Sequence, residues 1–107
     1  MEVISNDHEK CTEALSGLYN VYDPEIGLNV VDLGLIYQID FLEDEKKIEA
    51  TMTLTTQFCP MGESITSNVT QSIANSFKEY VINVNLTFDP PWNSSLISPE
   101  GQQYLNH

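Results

Sequence analysis

The sequence predicts an α+β domain, a two-layer sandwich in which a three-stranded sheet is covered by helices in the order α-β-β-α-β-α. Three stretches alternate apolar and polar residues, as half-buried strands do. Two longer stretches repeat apolar residues at intervals of three and four, as amphipathic helices do. A sheet with one apolar face needs helices to cover that face, which gives two layers. At 107 residues the chain makes a single domain, residues 1–107.

The charge of the chain limits the expected partners. There are 16 acidic residues and 4 Lys and Arg residues, and the net charge is −12 at pH 7. Such a surface repels nucleic-acid phosphates and anionic lipids, so neither nucleic acid nor a membrane is an expected partner. Residues 1–6 form a loose leader without the basic start and apolar core of a secretory signal. A cytoplasmic protein is therefore expected.

The first helix is predicted to begin at Asn6 or Asp7, because Asn6 and Glu9 have capping-box spacing. It should end at Asp23-Pro24-Glu25, since the residue before a proline avoids the helical conformation. Its buried stripe should comprise Cys11, Ala14, Leu15, Leu18 and Tyr22. On this interpretation Cys11 is a small hydrophobic residue of the core.

Two strands should follow, joined by an all-charged turn at residues 43–47. The first alternates from Val31 to Phe41, and Gly34 within it indicates a bulge or the close approach of another backbone. The second alternates over residues 48–54. Together they form a hairpin with one apolar face.

The remaining elements are a helix, a strand and a short helix. The second helix should run from about Pro60 to Tyr80, and a third strand alternates over residues 82–88. A short helix is expected within residues 96–107, with Ser98 as its cap and Pro99 in its first position. The stripe of the second helix that faces the sheet comprises Ile65, Val69, Ile73 and Phe77.

The candidate reactive residue is Cys59, at the junction between the second strand and the second helix. Pro60 suits the first helical position, which would make Cys59 the N-cap, beside the free N–H groups of the first turn. Those dipoles favour an anion and hence a thiolate. The alternative is a buried thiol that only fills space, the usual fate of a free cysteine.

Two further clusters are candidates for function. Asp23, Glu25 and Asp32 are three carboxylates without the spacing of a metal site, and they can equally be turn-forming residues. Trp92 follows two prolines that fix its loop, and it can be either a lid on the core or a preorganised contact surface. Strand ends and helix starts can bring the Cys59 junction and the Trp92 loop to the same edge of the sheet.

Several ordered motifs resemble the iron–sulfur cluster assembly (FSCA) domain of the SufT/PaaD type, often described as metal–sulfur cluster biosynthetic proteins. The resemblance covers about residues 9–95, nearly the whole chain. Because the chain ends at His107 without the cysteine-rich extension of the PaaD branch, the stand-alone, SufT-like branch is expected. The motifs are Asp23-Pro24-Glu25, the segment from Val31 to Tyr37, Thr53-Leu54-Thr55, Cys59-Pro60 and Pro90-Pro91-Trp92.

The resemblance implies an accessory factor that helps iron–sulfur proteins to mature, with Cys59 as its reactive residue and as a candidate ligand of iron or a cluster. Any iron or iron–sulfur cluster would be bound transiently, and no other cofactor is expected. The partners would be the assembly machinery or client apoproteins, and a homodimer or a partner protein would supply further ligands. The functional surface would include Asp23, Glu25, Asp32, Pro60 and Trp92, and the structural motif positions would be Pro24, Gly34, Pro90 and Pro91.

Two other function classes remain open from the residues alone. A thiol-dependent enzyme would use Cys59 as a nucleophile, but neither His8 nor His107 is near it in sequence. A pure interaction module would carry the cysteine incidentally. A single reactive thiol does not make a catalytic constellation, so a protein that is not an enzyme is expected.

Overall fold

The computed structural model describes residues 3–24, 26–55, 62–89 and 91–105. Within these ranges the fold is α+β, as predicted, and no helix is long and apolar enough to cross a membrane. Single-turn 3-10 helices lie at Glu43–Glu45 and Ser94–Leu96. The other elements are β1 Ile4–Ser5, α1 His8–Leu18, β2 Ile36–Leu42, β3 Lys47–Met52, α2 Gly62–Ser76, β4 Val81–Leu86 and α3 Pro99–Leu105.

The sheet has four strands in the order β1-β2-β3-β4, so the predicted three-stranded sheet is wrong by one strand. Strands β2 and β3 are antiparallel, whereas β1 runs parallel to β2 and β4 runs parallel to β3. The extra strand comes from the expected loose leader, where Ile4 and Ser5 pair with Gln38 and Ile39. Two residues are too few to show an alternating pattern.

Helix α1 begins at one of the two predicted starts, Asp7, but it ends earlier than predicted. Its N-cap is Asp7, whose Oδ1 accepts a hydrogen bond from Lys10 N at 3.1 Å. The predicted cap, Asn6, instead exchanges two 2.9 Å hydrogen bonds with the backbone of Phe41 and so extends the pairing of β1 with β2. The helix ends at Leu18, and Tyr22 is exposed in an isolated bridge to Asn29.

Strand β2 begins at Ile36 and not at Val31, because residues 31–34 form turns. Leu33 N donates to Asn29 O at 3.0 Å, and Gly34 N donates to Val31 O at 3.0 Å. Gly34 has φ +77°, and a Cβ at this position would lie 2.3 Å from Leu96 O. The predicted close approach of another backbone is therefore confirmed, whereas the bulge lies between Ile36 and Gln38.

The core lies between the sheet and the layer formed by α1 and α2. Helix α2 buries Ile65, Val69 and Ile73 of the predicted stripe, but it ends at Ser76 and not at Tyr80, so Phe77 is buried just beyond it. The alternation of β3 is confirmed as far as Met52, where the strand ends. Ser98 caps α3, since its Oγ accepts a hydrogen bond from Gly101 N at 3.0 Å, and Pro99 is the first helical residue. The fully buried core side chains include Leu18, Leu33, Leu35, Ile39, Ile48, Met52, Ile65, Val69 and Ile73.

Candidate functional site

The candidate site lies at the edge of the sheet formed by strand ends, where β2 begins and where β3 and β4 end, and not along an outer strand. Met52 is paired with both Ile36 and Leu86. Thr53 N donates to Leu35 O, and Thr87 N donates to Met52 O, each at 2.8 Å. Three connecting segments therefore leave the sheet at one edge: the turn before β2, the chain after β3, and the loop after β4.

The segment that contains Cys59 starts and ends at this edge. Its last described residue before the junction, Thr55, is half-buried after β3. Its first described residue after the junction, Gly62, packs so closely that a Cβ there would lie 2.8 Å from Leu54 Cδ1. Cys59 itself lies outside the described residues, as do Pro60, Glu25 and Pro90, so their predicted roles stay predictions.

Asp32 is half-buried in the turn before β2 and is held from two directions. Its Oδ2 accepts a hydrogen bond from Asn29 Nδ2 at 2.7 Å, and its Oδ1 accepts one from Ser98 Oγ at 2.8 Å. Ser98 N also donates to Asp32 O at 2.7 Å. Asp32 thus fastens the start of α3 onto the turn before β2.

Trp92 holds the same turn from the other side. Its indole Nε1 donates a 2.7 Å hydrogen bond to Leu33 O, and its ring packs against the core. We call residues 92–98 the C-terminal clasp, because Trp92, Leu96 and Ser98 contact Leu33, Gly34 and Asp32 respectively. The clasp brings together two of the predicted functional residues, Asp32 and Trp92.

Asp23 occupies a different place from the one predicted. Its side chain is fully buried, so it does not belong to an exposed docking surface. Its backbone closes a tight loop, since Asp23 N donates to Leu28 O at 3.0 Å and Gly27 N donates to Asp23 O at 2.7 Å. Gly27 takes φ +79° in this loop, and Pro24 is exposed. Asp23 thus stabilises this loop from its buried side.

Three further residues support this edge: Asn29, which belongs to none of the sequence motifs, and Tyr37 and Thr53, which lie within two of them. Asn29 caps the turn, because its Oδ1 accepts a hydrogen bond from Asp32 N at 2.8 Å. The three-residue spacing of Asn29 and Asp32 is that of a capping pair, and it was the available signal. Thr53 is fully buried and forms a side-chain hydrogen bond with Tyr37. Burial raises the pKa of Tyr37, and the bond to Thr53 opposes that shift, so the phenol stays protonated at neutral pH.

Cys11 is a core residue, as predicted, and is only 4% exposed. Burial raises the pKa of its thiol, the hydrogen bond with Ser5 lowers it, and the negative charge of Asp7 raises it further. In the described part of the chain, no three side chains of His, Cys, Asp and Glu are grouped so that they could hold a metal ion.

Comparisons with known proteins agree with the resemblance. A family profile described as iron-sulfur cluster assembly protein matches residues 12–86. An Fe-S protein maturation auxiliary factor of Porphyromonas gingivalis is 41% identical over 88 residues, which cover 82% of this chain and 83% of that protein. The Fe-S protein maturation auxiliary factor SufT of Staphylococcus aureus is 37% identical over 78 residues, which cover 73% of this chain and 88% of that protein.

A solved structure shares the fold. The crystal structure of a domain of unknown function, DUF59, from Bacillus anthracis superposes with a TM-score of 0.85 at 31% identity, covering 92% of this chain and 93% of that one. The family profile spans the chain from α1 to the end of β4, and so includes both Asp32 and Cys59. The chain therefore belongs to the iron–sulfur cluster assembly protein family.

Proposed function

We propose that this protein is an accessory factor in the assembly or transfer of iron–sulfur clusters or in the maturation of iron–sulfur proteins, and that Cys59 is its working residue. The observation that supports this role is the shared edge of the sheet. Thr55 and Gly62 are the described residues on either side of the Cys59 segment, and both lie at the edge that carries Asp32 and Trp92. The relatives named as maturation auxiliary factors support the same role.

The cargo would be iron or an iron–sulfur cluster, bound by the thiolate of Cys59. Clusters are held by several thiolates, and this chain has two cysteines, of which Cys11 is buried in the core with a raised pKa. We expect the other ligands to come from another molecule, such as a second copy of this chain, an assembly protein or a client apoprotein. Such a protein hands its cargo over and does not turn over a small substrate, so we propose that it is not an enzyme.

We expect helix α2 to favour an ionised thiol at this junction. It has 15 residues and begins at Gly62, three positions after Cys59. The positive end of its dipole favours a thiolate, whereas Glu63 in its first turn opposes one. A thiol that binds iron must lose its proton, so a lowered pKa at Cys59 would aid capture of the cargo at neutral pH.

The partner would dock at the same edge, on the loops that carry Glu25, Asp32, Pro60 and Trp92. Two prolines restrict the backbone conformations of this surface. Pro24 and Pro91 are both exposed, and each has a fixed φ angle. The clasp holds Trp92 and Asp32 to a common turn, so the surface loses little conformational freedom when a partner binds.

Anaerobic reconstitution with ferrous iron and sulfide tests the proposal, read by absorption spectroscopy and native mass measurement. The wild-type protein should acquire iron and pass it to an apo-ferredoxin, and Cys59→Ala should lose both abilities. Cys11→Ala is the matched control, since it removes the other thiol from the core and should keep both. Full transfer activity in Cys59→Ala would contradict the proposal and would favour an interaction module with an incidental cysteine.

A further inference from the structure

Strand β4 is an outer strand of the sheet, because among the described strands only β3 pairs with it. Its free side is therefore an open edge along the length of the strand. Val81 N donates to Lys46 O at 2.9 Å, and Thr87 N donates to Met52 O at 2.8 Å, so the odd-numbered residues face β3. Successive residues of a strand direct their backbone groups to opposite sides. The N–H and C=O groups of the even-numbered residues therefore point away from the sheet, at Ile82, Val84 and Leu86.

This edge lacks the features that usually prevent a strand from pairing with another chain. Edges are commonly protected by a bulge, a proline or a charged side chain. The register of β4 with β3 is continuous from Val81 to Leu86, and the strand contains neither a proline nor a charged residue. Its two ends are apolar and exposed, by 66% at Val81 and 45% at Leu86.

The charge distribution indicates which partner fits the edge. The chain carries a net charge of −12, so two copies repel each other over most of their surfaces. Residues 80–88 contain no charged side chain, and a second copy can approach there with the least repulsion. The β4 strand of a second copy is equally uncharged and so matches this edge, whereas a basic segment would be attracted to the charged parts of the acidic surface.

We propose that a second copy of this chain pairs with β4 in antiparallel orientation, about a two-fold axis at Val84, and joins two sheets into one. In this register Val84 is hydrogen-bonded to the partner subunit's Val84, and Ile82 is hydrogen-bonded to the partner subunit's Leu86. Asn83 lies opposite the partner subunit's Asn85. Each of residues 82–86 then faces one of similar chemistry.

Asn83 and Asn85, on the open face of the sheet, are held in place by hydrogen bonds to Glu49. Asn83 Nδ2 and Asn85 Nδ2 both donate to Glu49 Oε2, at 2.9 and 2.8 Å. Lys47 Nζ lies 2.9 Å from Glu49 Oε1, so the carboxylate is held by Lys47 on one oxygen and by the two asparagines on the other. Each amide group carries both donors and an acceptor, so Asn83 and the partner subunit's Asn85 can bond to each other.

Sedimentation of the full chain over a range of concentrations tests the pairing. A reductant and a chelator are present, so that dimers bridged by a disulfide or by a metal ion do not form. A dimer is expected, and its dissociation constant should fall as ionic strength rises, because salt screens the repulsion between two acidic chains. Hydrogen exchange measured by NMR should show the Ile82, Val84 and Leu86 amides protected only at concentrations where the dimer forms. A monomer at all concentrations, or a dimer in which these amides stay unprotected, would overturn the proposal.

Substitution of Val84 tests the backbone pairing. Val84→Pro removes an outward N–H that makes no bond to β3, and should raise the dissociation constant at least about tenfold. Val84→Ala is the matched control, since it truncates the same side chain but keeps the N–H, and it should still form the dimer. Equal dimerisation by both folded variants would overturn the pairing.

A pair of lysine substitutions tests the edge even if Val84→Pro fails to fold. Leu86→Lys places a charge opposite the partner subunit's Ile82 and should dissociate the dimer. Ile4→Lys makes the same kind of change on β1, at the other edge of the sheet, where the side chain is 63% exposed, and should leave the dimer intact. Dissociation by Ile4→Lys alone would place the interface on β1 and overturn the proposal.

Discussion

The Ser98 side chain and backbone both bond to Asp32, 66 positions earlier in the chain. Ser98 Oγ donates to Asp32 Oδ1 at 2.8 Å, and Ser98 N donates to Asp32 O at 2.7 Å. The same Ser98 Oγ accepts the capping hydrogen bond of α3 from Gly101 N. One residue thus links the turn before β2 to the last helix, at the edge of the sheet where the Cys59 segment begins and ends.

Asp32→Ala should destabilise the protein and loosen α3. The substitution removes the acceptor of hydrogen bonds from Asn29 and Ser98, and bonds to a charged group stabilise more than neutral ones. We expect the free energy of unfolding to fall by roughly 2–3 kcal/mol in urea titrations. Amide exchange along α3 should also accelerate.

Asp40→Ala is the matched control for this prediction. Asp40 is a half-buried carboxylate in β2, and it accepts a 2.7 Å hydrogen bond from Gln38 within the same strand. Its loss should cost about 1 kcal/mol or less and should leave exchange in α3 unchanged. Equal effects of the two substitutions would show that Asp32 does not fasten the clasp.

Gly34→Ala should be more damaging than its size suggests. Gly34 has φ +77°, a conformation that costs other residues about 1–2 kcal/mol. Its missing Cβ also makes room for Leu96 O, which would lie only 2.3 Å from a methyl group. Relief of that overlap should cost a further ~1–3 kcal/mol in the free energy of unfolding.

Gly27→Ala separates these two contributions. Gly27 has a similar φ of +79°, but the nearest atom to a Cβ there is Tyr104 Oη at an ordinary 3.8 Å. Its substitution should therefore cost only the backbone term, about 1–2 kcal/mol. If Gly34→Ala proved no worse than Gly27→Ala in the same urea titration, the clasp would not press on Gly34 in solution.

The elements with long, regular patterns could be predicted from the sequence. The stripe of α2 and the alternation of β3 repeat several times, so tertiary contacts do not override them. The start of β2 was misplaced because Leu33 and Leu35 continue its alternation, although Leu33 is buried in a turn under the clasp. Strand β1 was missed since two residues carry no period.

The candidate site could be predicted only in outline. Strand order along the chain implied that the Cys59 junction and the Trp92 loop share an edge, and the described ends of both segments do. The contacts themselves could not be derived, because Asp32 and Ser98 are far apart in sequence and nothing local couples them. The burial of Asp23 was also hidden, since an Asp-Pro pair usually opens an exposed turn.

Trp92→Phe should destabilise the protein although it keeps an aromatic ring on the core. It removes the indole N–H that donates to Leu33 O at 2.7 Å and leaves that carbonyl without this donor. We expect a loss of about 1–3 kcal/mol in unfolding monitored by circular dichroism. Tyr80→Phe is the control, because it removes an exposed hydroxyl bonded to Glu43 and should cost less. Equal losses would mean that the Trp92 hydrogen bond is not formed.

The stability of the protein should decline in alkali because of Cys11. Burial is the largest cause of its raised pKa, so the folded state holds this thiol protonated while the unfolded chain ionises at about pH 8.5. The contribution of Cys11 to the free energy of unfolding should therefore be constant below that pH and should fall as the pH rises towards the higher pKa of the folded state. Tyr37, whose pKa is also raised, should add to this decline only above about pH 10.

Cys11→Ala tests this assignment when unfolding is measured in urea at a series of pH values. The variant should be less stable than the wild type at neutral pH, because it leaves a small cavity, but its stability should fall less between about pH 8.5 and 10. Tyr37→Phe should leave the fall in that range unchanged. A Cys11→Ala curve parallel to the wild-type curve would show that the buried thiol is not the group that titrates.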